Sequence, residues 1–442
     1  MIERDAAPAS HFFAGWQPDI SFFRGESAGR FKRKNIRGDQ FFQRIFILLH
    51  STFPVSDGAA LSTIFINIFL FRNSSGIETT LLFNIVNFAF MPVGALTAGI
   101  FGKRYNLSAM MRSGIAVLNL LYLFLLIFQE NVVHYAYIVG MLNGFSAGLY
   151  FLGQNTMLLD FTQEDNRDAA LSLNGFTSTF AGLVCPLLAS LIISAFSDLT
   201  GYMILFAVCF ALFLTACVLS FKIPKVHTKT KFNPKELIVR YFTNRDWFFA
   251  LCGDFMRNIR EGVMSFIINI LMFSVIRQEL LIGVNSFIGS VLTLALYVYL
   301  TKRISPQNRK QYYLGASVVL FVSSIPLLFG MNMPVLFGFG LINTVTNLVL
   351  FNTSVAMGYQ TVGSHPEYRE RRIEAMVIRE LFTNLGRISA IAVLFFLPKD
   401  DTTVSVYLVL ICFVNLFTFF FFNNNRILGE KLKFRTILKR RV

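Results

Sequence analysis

The stretch "DFMRNIREGVMSF", residues 254–266, decides how the rest of the chain is read. It places four charges, Asp254, Arg257, Arg260 and Glu261, between "WFFALCG" and "IINILMFSVI", two flanks with the character of a lipid-spanning helix. At the helical turn per residue, Asp254, Arg257, Asn258, Glu261 and Ser265 share a stripe about 100° wide, with Arg260 to one side. A charge at the bilayer centre costs ~2.5–3.5 kcal/mol on insertion scales. Four on one helix therefore face a protein partner or a water-filled cavity. Within the helix, Asp254 can reach Arg257, and Arg257 can reach Glu261.

The surrounding composition agrees with a membrane setting. The chain has 442 residues, 54% hydrophobic and only 15% charged, with 51 Phe. Its mean hydropathy is +0.57. The apolar residues fall in runs of about 20, the length that crosses a bilayer core. These runs predict an all-α integral membrane protein of twelve transmembrane helices. The expected spans are 41–71, 79–101, 107–128, 135–159, 169–195, 201–221, 247–276, 280–300, 312–330, 333–359, 374–397 and 404–423. The connection 222–246, with "KIPKVHTKTKFNPKEL", is polar and basic and splits the chain into two six-helix bundles, 41–221 and 247–423. Residues 1–40 read as a basic, disordered cytoplasmic arm and 424–442 as a basic cytoplasmic tail.

The net charge of +15 raises the question of a nucleic-acid partner. Its distribution answers against one. Arg72, Arg277 and Lys399 are the only basic residues in the odd-side loops, and Arg112, Arg257, Arg260, Arg379 and Arg387 lie in spans. All the others lie in the arm, the even-side loops, the linker and the tail, which by the positive-inside rule puts both termini in the cytoplasm of a plasma-membrane protein. The five Cys and five His show no metal-ligand spacing and no disulfide framework, so neither metal nor cofactor is expected. There is no Walker A loop, no metal-binding His/Glu helix and no Ser/His/Asp spacing, which argues against an enzyme.

The two halves repeat one another at an offset near 200. "ALSTIFINIFLF" (60–71) aligns with "GVMSFIINILMF" (262–273), pairing Asn67 with Asn269. Asn143, Ser146 and Gln154 precede Asn343, Thr346 and Ser354, Lys103-Arg104 precedes Lys302-Arg303, and Arg167 precedes Arg369. Two such halves, with a site between them near the midplane, are a common plan for secondary transporters.

At this point the chain resembles a major facilitator superfamily transporter over about residues 40–425. The loop "GALTAGIFGKRYN" (94–106) resembles that family's Gly-rich basic motif, with Gly102, Lys103 and Arg104 at its basic end. The motif's acidic residue is missing; Ala98 and Gly99 occupy its neighbourhood. "DFTQEDNRDAALSLNGF", "NIREGV" and "VIRELFTNLGRI" together resemble a bacterial subgroup of unassigned substrates. The resemblance implies that spans 1, 4, 7 and 10 line a central cavity, with 2, 5, 8 and 11 beside it and 3, 6, 9 and 12 facing lipid. It also implies a monomer.

The polar residues follow that division. Span 7 carries Arg257, Arg260 and Glu261. Span 11 carries Arg379, Glu380, Thr383, Asn384 and Arg387. Span 1 carries Asp57 behind Pro54, where the helix can bend. Span 4 has Asn143, Ser146, Tyr150 and Gln154 on one stripe, and span 10 has Asn343, Thr346, Asn347 and Ser354. Glu261 is the first choice for a proton carrier, with Asp57 and Glu380 behind it. Arg257, Arg260, Arg379, Arg387, Asn143, Tyr150, Gln154, Asn343 and Asn347 are the candidate cavity residues. Lys103, Arg104, Asp160 and Arg167, at helix ends, are candidates for a cytoplasmic gate. For the ionic residues the alternative is a structural ion pair, and for the Asn stripes helix–helix hydrogen bonds. The function expected is secondary active transport of a small solute, proton-coupled. Translocation of a lipid headgroup by the same fold is the alternative, and a non-transporting membrane sensor a lesser one.

Overall fold

The structure is a computed structural model that describes residues 35–161, 167–224, 232–301, 303–304, 307–363 and 371–428. Among these it holds fourteen α-helices and no strand. They are α1 (Asn35–Arg72), α2 (Glu78–Arg104), α3 (Leu107–Phe128), α4 (Ala136–Phe161), α5 (Arg167–Ala195), α6 (Thr200–Ser220) and α7 (Lys235–Thr243). Then follow α8 (Arg245–Met264), α9 (Ile267–Ile276), α10 (Glu279–Thr301), α11 (Arg309–Ser324), α12 (Met333–Gly363), α13 (Arg372–Phe396) and α14 (Asp401–Asn424). The chain divides into the units Met1–Gln43 and Arg44–Val442. Only the first turns of α1 are described in the former, and everything below concerns the latter.

Nine stretches of the described residues are long and apolar enough to cross a membrane. One of them, Leu107–Leu158, contains α3 and α4 as far as Leu158. Two further long helices fall outside the nine. In α5 the described side chains begin at Phe180, and Phe180–Ala195 is a shorter apolar helix; α13 is interrupted by its own charges. The predicted spans are thus all helical, with four differences from expectation. Helix α1 starts at Asn35, before the expected 41. The linker contains the short helix α7, whose Leu237 and Tyr241 pack with Trp247, Leu251, Ala375 and Ile378. Span 7 is two helices, α8 and α9, parted at Ser265–Phe266. Helix α1 runs unbroken through Pro54.

Caps fix several boundaries. The Asn106 side chain accepts the Ser108 N–H, Asn244 accepts those of Asp246 and Trp247, and Asp400 accepts that of Thr403. Arg277, in the left-handed region at φ 52°, ends α9.

Small residues set how closely the helices approach. On α4, Gly140, Gly144 and Gly148 lie one turn apart, and a Cβ on each would strike a carbonyl of α2, at Phe83, Asn87 and Met91 respectively. Between α8 and α13, Gly262 lies against Arg387 and Gly386 against the Phe255 carbonyl. The two halves meet along α2 and α13 and along α5 and α10, where the Ser290 hydroxyl donates to the Gly182 carbonyl at 3.0 Å.

Candidate functional site

Three of the four charges of residues 254–266, Asp254, Arg257 and Arg260, are buried, and Glu261 is largely so. Asp254, Arg257, Asn258 and Arg260 are 0–2% exposed. Arg260 sits at the centre of a polar cluster. Its Nη1 donates to Asn343 Oδ1 at 3.0 Å, and its Nη2 to Glu261 Oε2 and Asn347 Oδ1, both at 2.6 Å. Asn347 Nδ2 closes the ring by donating to Glu261 Oε1 at 3.3 Å. Arg257 approaches Glu261 at 4.0 Å and lies over the Phe351 ring. One span of the C-terminal half is in this way tied to α12.

A second cluster joins α8 to α13. Arg379 makes a two-point contact with Asp254, Nε to Oδ2 at 2.5 Å and Nη2 to Oδ1 at 3.1 Å, and lies over Tyr359. Arg387 donates from Nε to Asn258 Oδ1 at 3.1 Å and from Nη1 to Asn384 Oδ1 at 3.3 Å. Asn384 in turn donates to Glu380 Oε2 at 2.9 Å. Of the pairings expected from helical spacing, Arg257–Glu261 is kept at 4.0 Å and Asp254–Arg257 is replaced by Asp254–Arg379, while an amide, Asn384, stands between Glu380 and Arg387. For Asp254 the contact between helices outcompetes the one along its own helix, because Gly262 and Gly386 bring α8 and α13 together.

Glu261, Ser265, Phe266 and Arg387 face a cavity of about 220 Å³ whose opposite wall comes from the N-terminal half. That wall carries Ser62, Asn67, Asn84, Asn87, Phe88 and Asn143. Its amides are paired, Asn84 donating to Asn67 at 2.7 Å and Asn143 to Asn87 at 2.9 Å. The break between α8 and α9 lies at this cavity, with Ser265 exposed into it. Such interrupted helices bring backbone polar groups to a site.

The other candidate residues fall elsewhere. Tyr150 and Gln154 are buried, 3% and 7% exposed, and do not line the cavity. Asp57 is half-buried and beside Cys185 of α5, away from the cavity wall, and makes no hydrogen bond or ion pair among the described residues. Arg104 is exposed and lies over Tyr105. The side chains of Asp160 and Arg167 lie outside the described part.

Lys103 is brought to a closure between the halves on the linker side. Its Nζ donates to Glu374 Oε1 of α13 at 2.6 Å, with side chains 2% and 1% exposed. The Asn233 N–H from the linker donates to the same oxygen at 3.2 Å, and Arg371 pairs with Glu236 of α7. Around the pair, Ala95, Ala98, Leu149 and Leu152 of one half pack on Ile373 and Val377 of the other. Sequence reasoning missed Glu374; its signal was a lone acid in the first turn of span 11. On the opposite side, Arg72 pairs with Glu279 at 2.8 Å, and Tyr202 donates to the same carboxylate at 3.1 Å.

The model of the Major Facilitator Superfamily matches residues 48–390. The chain is 26% identical over 384 residues to "Uncharacterized protein YqgE" of Bacillus subtilis (strain 168), across 86% of this chain and 89% of that one. Among solved structures it is similar to the D-xylose-proton symporter, with TM-score 0.66, 11% identity, and 88% and 99% of the two chains covered. It is also similar to a bacterial homologue of the iron transporter ferroportin in its inward-facing state, with TM-score 0.63, 12% identity, and 86% and 98% covered. At these identities the structural likeness concerns the fold alone.

Proposed function

The chain belongs to the Major Facilitator Superfamily, whose members are transporters and not enzymes, and from that premise we propose a secondary active transporter that carries a small solute by alternating access, coupled to protons. The observation that carries this reading is the cavity itself. Glu261 and Arg387 of one half face Asn67, Asn84, Asn87 and Asn143 of the other, and the route from the linker side is shut by Lys103–Glu374. A solute held between the halves exchanges sides when the Lys103–Glu374 and Arg72–Glu279 pairs, both formed here, part in turn. The basic linker and even-side loops support a plasma-membrane orientation with the linker and both termini in the cytoplasm.

Two acids suit coupling in different ways. Glu261 is in the cavity but tied to Arg260, so it takes a proton only when cargo displaces it from that cation. Asp57 lies off the cavity but holds no cation, so it can take a proton without stranding one. Glu380 shares its carboxylate with Asn384. The lipid-translocase reading has less support, because ~220 Å³ falls below the 300 Å³ or more of drug-sized pockets.

The test is proton movement in proteoliposomes containing the full chain and a trapped pH dye, challenged with sugars, amino acids and organic acids. A solute that drives proton flux, blocked by Glu261→Gln or Asp57→Asn, is the expected result. Solute accumulation that ignores a protonophore would overturn the coupling, and flux only of long-chain lipid would overturn the solute.

A further inference from the structure

Resting on the transporter reading of this cavity, we infer that its cargo is a small organic anion whose carboxylate or phosphoryl group docks on Arg387. The argument starts from charges that do not balance. Arg257, Arg260, Arg379 and Arg387 stand against Asp254, Glu261 and Glu380. Asp254 is occupied on both oxygens by Arg379. Glu261 is held by Arg260, with Arg257 at 4.0 Å. Glu380 accepts from Asn384 and reaches no cation within ion-pair distance among the described residues. Arg387 is left with neutral partners: Asn258, Asn384, the Met91 sulfur at 3.9 Å and the Phe88 ring. It lines the cavity as a cation with no carboxylate at ion-pair distance among the described residues.

The neighbouring cluster around Arg260, set back from the cavity lining, holds further donors without a hydrogen-bond partner. Arg257 Nε and Nη1, and Arg260 Nε, make no hydrogen bond among the described residues, although both residues are at least 98% buried. A guanidinium taken from water is stable only when a counter-charge and acceptors replace the solvent. The planar fork of Arg matches two oxygens of one carboxylate or phosphoryl group. An anion at Arg387 supplies the missing charge where the cavity is open to it. On the opposite wall, Asn87 and Asn143 keep amide groups, beyond the bond between them, for the neutral part of the solute. An anion there also stands in the same cavity as Glu261, whose negative charge it opposes, which is the repulsion that coupling through Glu261 needs.

The charge of the cavity can be read without knowing the natural cargo. Cys185, Cys209, Cys217, Cys252 and Cys412 are replaced by Ala, and Ser265→Cys places a thiol on the cavity wall. Its rates with an anionic sulfonatoethyl and a cationic trimethylammonioethyl methanethiosulfonate are compared in membrane vesicles of both orientations, each normalised to a free thiol. The anionic reagent should react faster. That preference should fall about tenfold in Arg387→Gln and return in Arg387→Lys. Protection of the thiol by malate or by D-glucose 6-phosphate then separates carboxylate from phosphate recognition, and Arg387→Gln should abolish either. A preference for the cationic reagent, or a ratio unmoved by Arg387→Gln in protein that remains monodisperse, would overturn the anion while leaving a water-filled transport cavity. So would protection by choline or D-glucose that survives Arg387→Gln. No reaction with either reagent from either side would sink the cavity, and the transporter reading with it.

Discussion

Neutralising an acid here has consequences set by what the acid holds. Asp254 is the sole carboxylate partner of Arg379 among the described residues, at 2.5 and 3.1 Å. Asp254→Asn strands a buried guanidinium, and the loss expected is about 3–5 kcal/mol. It should appear as a lower Tm in mild detergent. Asp57 holds nothing, so Asp57→Asn should stay within ~0.5 kcal/mol of wild type. If Asp57 carries the proton, the same variant should lose uptake against a gradient yet keep solute exchange at equal concentrations. Gradient-driven uptake surviving Asp57→Asn, but not Glu261→Gln, would move the carrier to the cavity. The sequence displayed all of these charges, and hydropathy alone said they were enclosed. It could not say which acid served which arginine. Spacing along one helix offered Arg257 to Asp254, whereas the partner actually chosen, Arg379, is 125 residues away.

At the scale of elements, the spans were legible because a run of about 20 apolar residues has few alternatives in a bilayer. What escaped was what depends on neighbours. The parting of α8 from α9 at Ser265–Phe266 has neither Pro nor Gly at the break, and the Pro54–Gly58 segment that invited a bend is continuous helix. The closeness of α2 and α4 was written in Gly140, Gly144 and Gly148, a small-residue repeat every fourth position that brings helix backbones into contact. Gly144→Val should push α4 off the Asn87 carbonyl and cost about 1–3 kcal/mol or more. Gly338 of α12 has nothing within 4 Å of its added Cβ. Gly338→Ala should hold stability or raise it by up to ~1 kcal/mol through helix propensity. Melting both variants beside wild type checks the contrast. Equal behaviour would mean that the α2–α4 approach is looser than its geometry.

Across the whole molecule, the ion pair Lys103–Glu374 ties the loop after α2 to α13, and the linker fastens the same point through the Asn233 N–H. The resemblance offered Lys103 but left its partner undetermined, since the motif's own acid is replaced by Ala98 and Gly99. Glu374 supplies the negative charge from the other half, 271 residues along the chain. In the alternating-access reading proposed above, a pair formed in only one of two conformations sets the balance between them. Removing it should favour the state open on the linker side. With spin labels at exposed positions of α2 and α13 near that face, Lys103→Ala should broaden the distance distribution toward longer separations. Glu374→Gln should do the same, while the exchange Lys103→Glu with Glu374→Lys should restore the short distance. A shift of this kind by ~1.4 kcal/mol changes the ratio of the two populations tenfold. Solute affinity should then differ when measured from the two faces of the membrane. A distance distribution identical in wild type and Lys103→Ala would show that the apolar contacts of Ala95, Ala98, Leu149 and Leu152 with Ile373 and Val377 suffice to hold the closure. The buried pair would in that case fix the register of the two halves as they meet, without deciding how often they part.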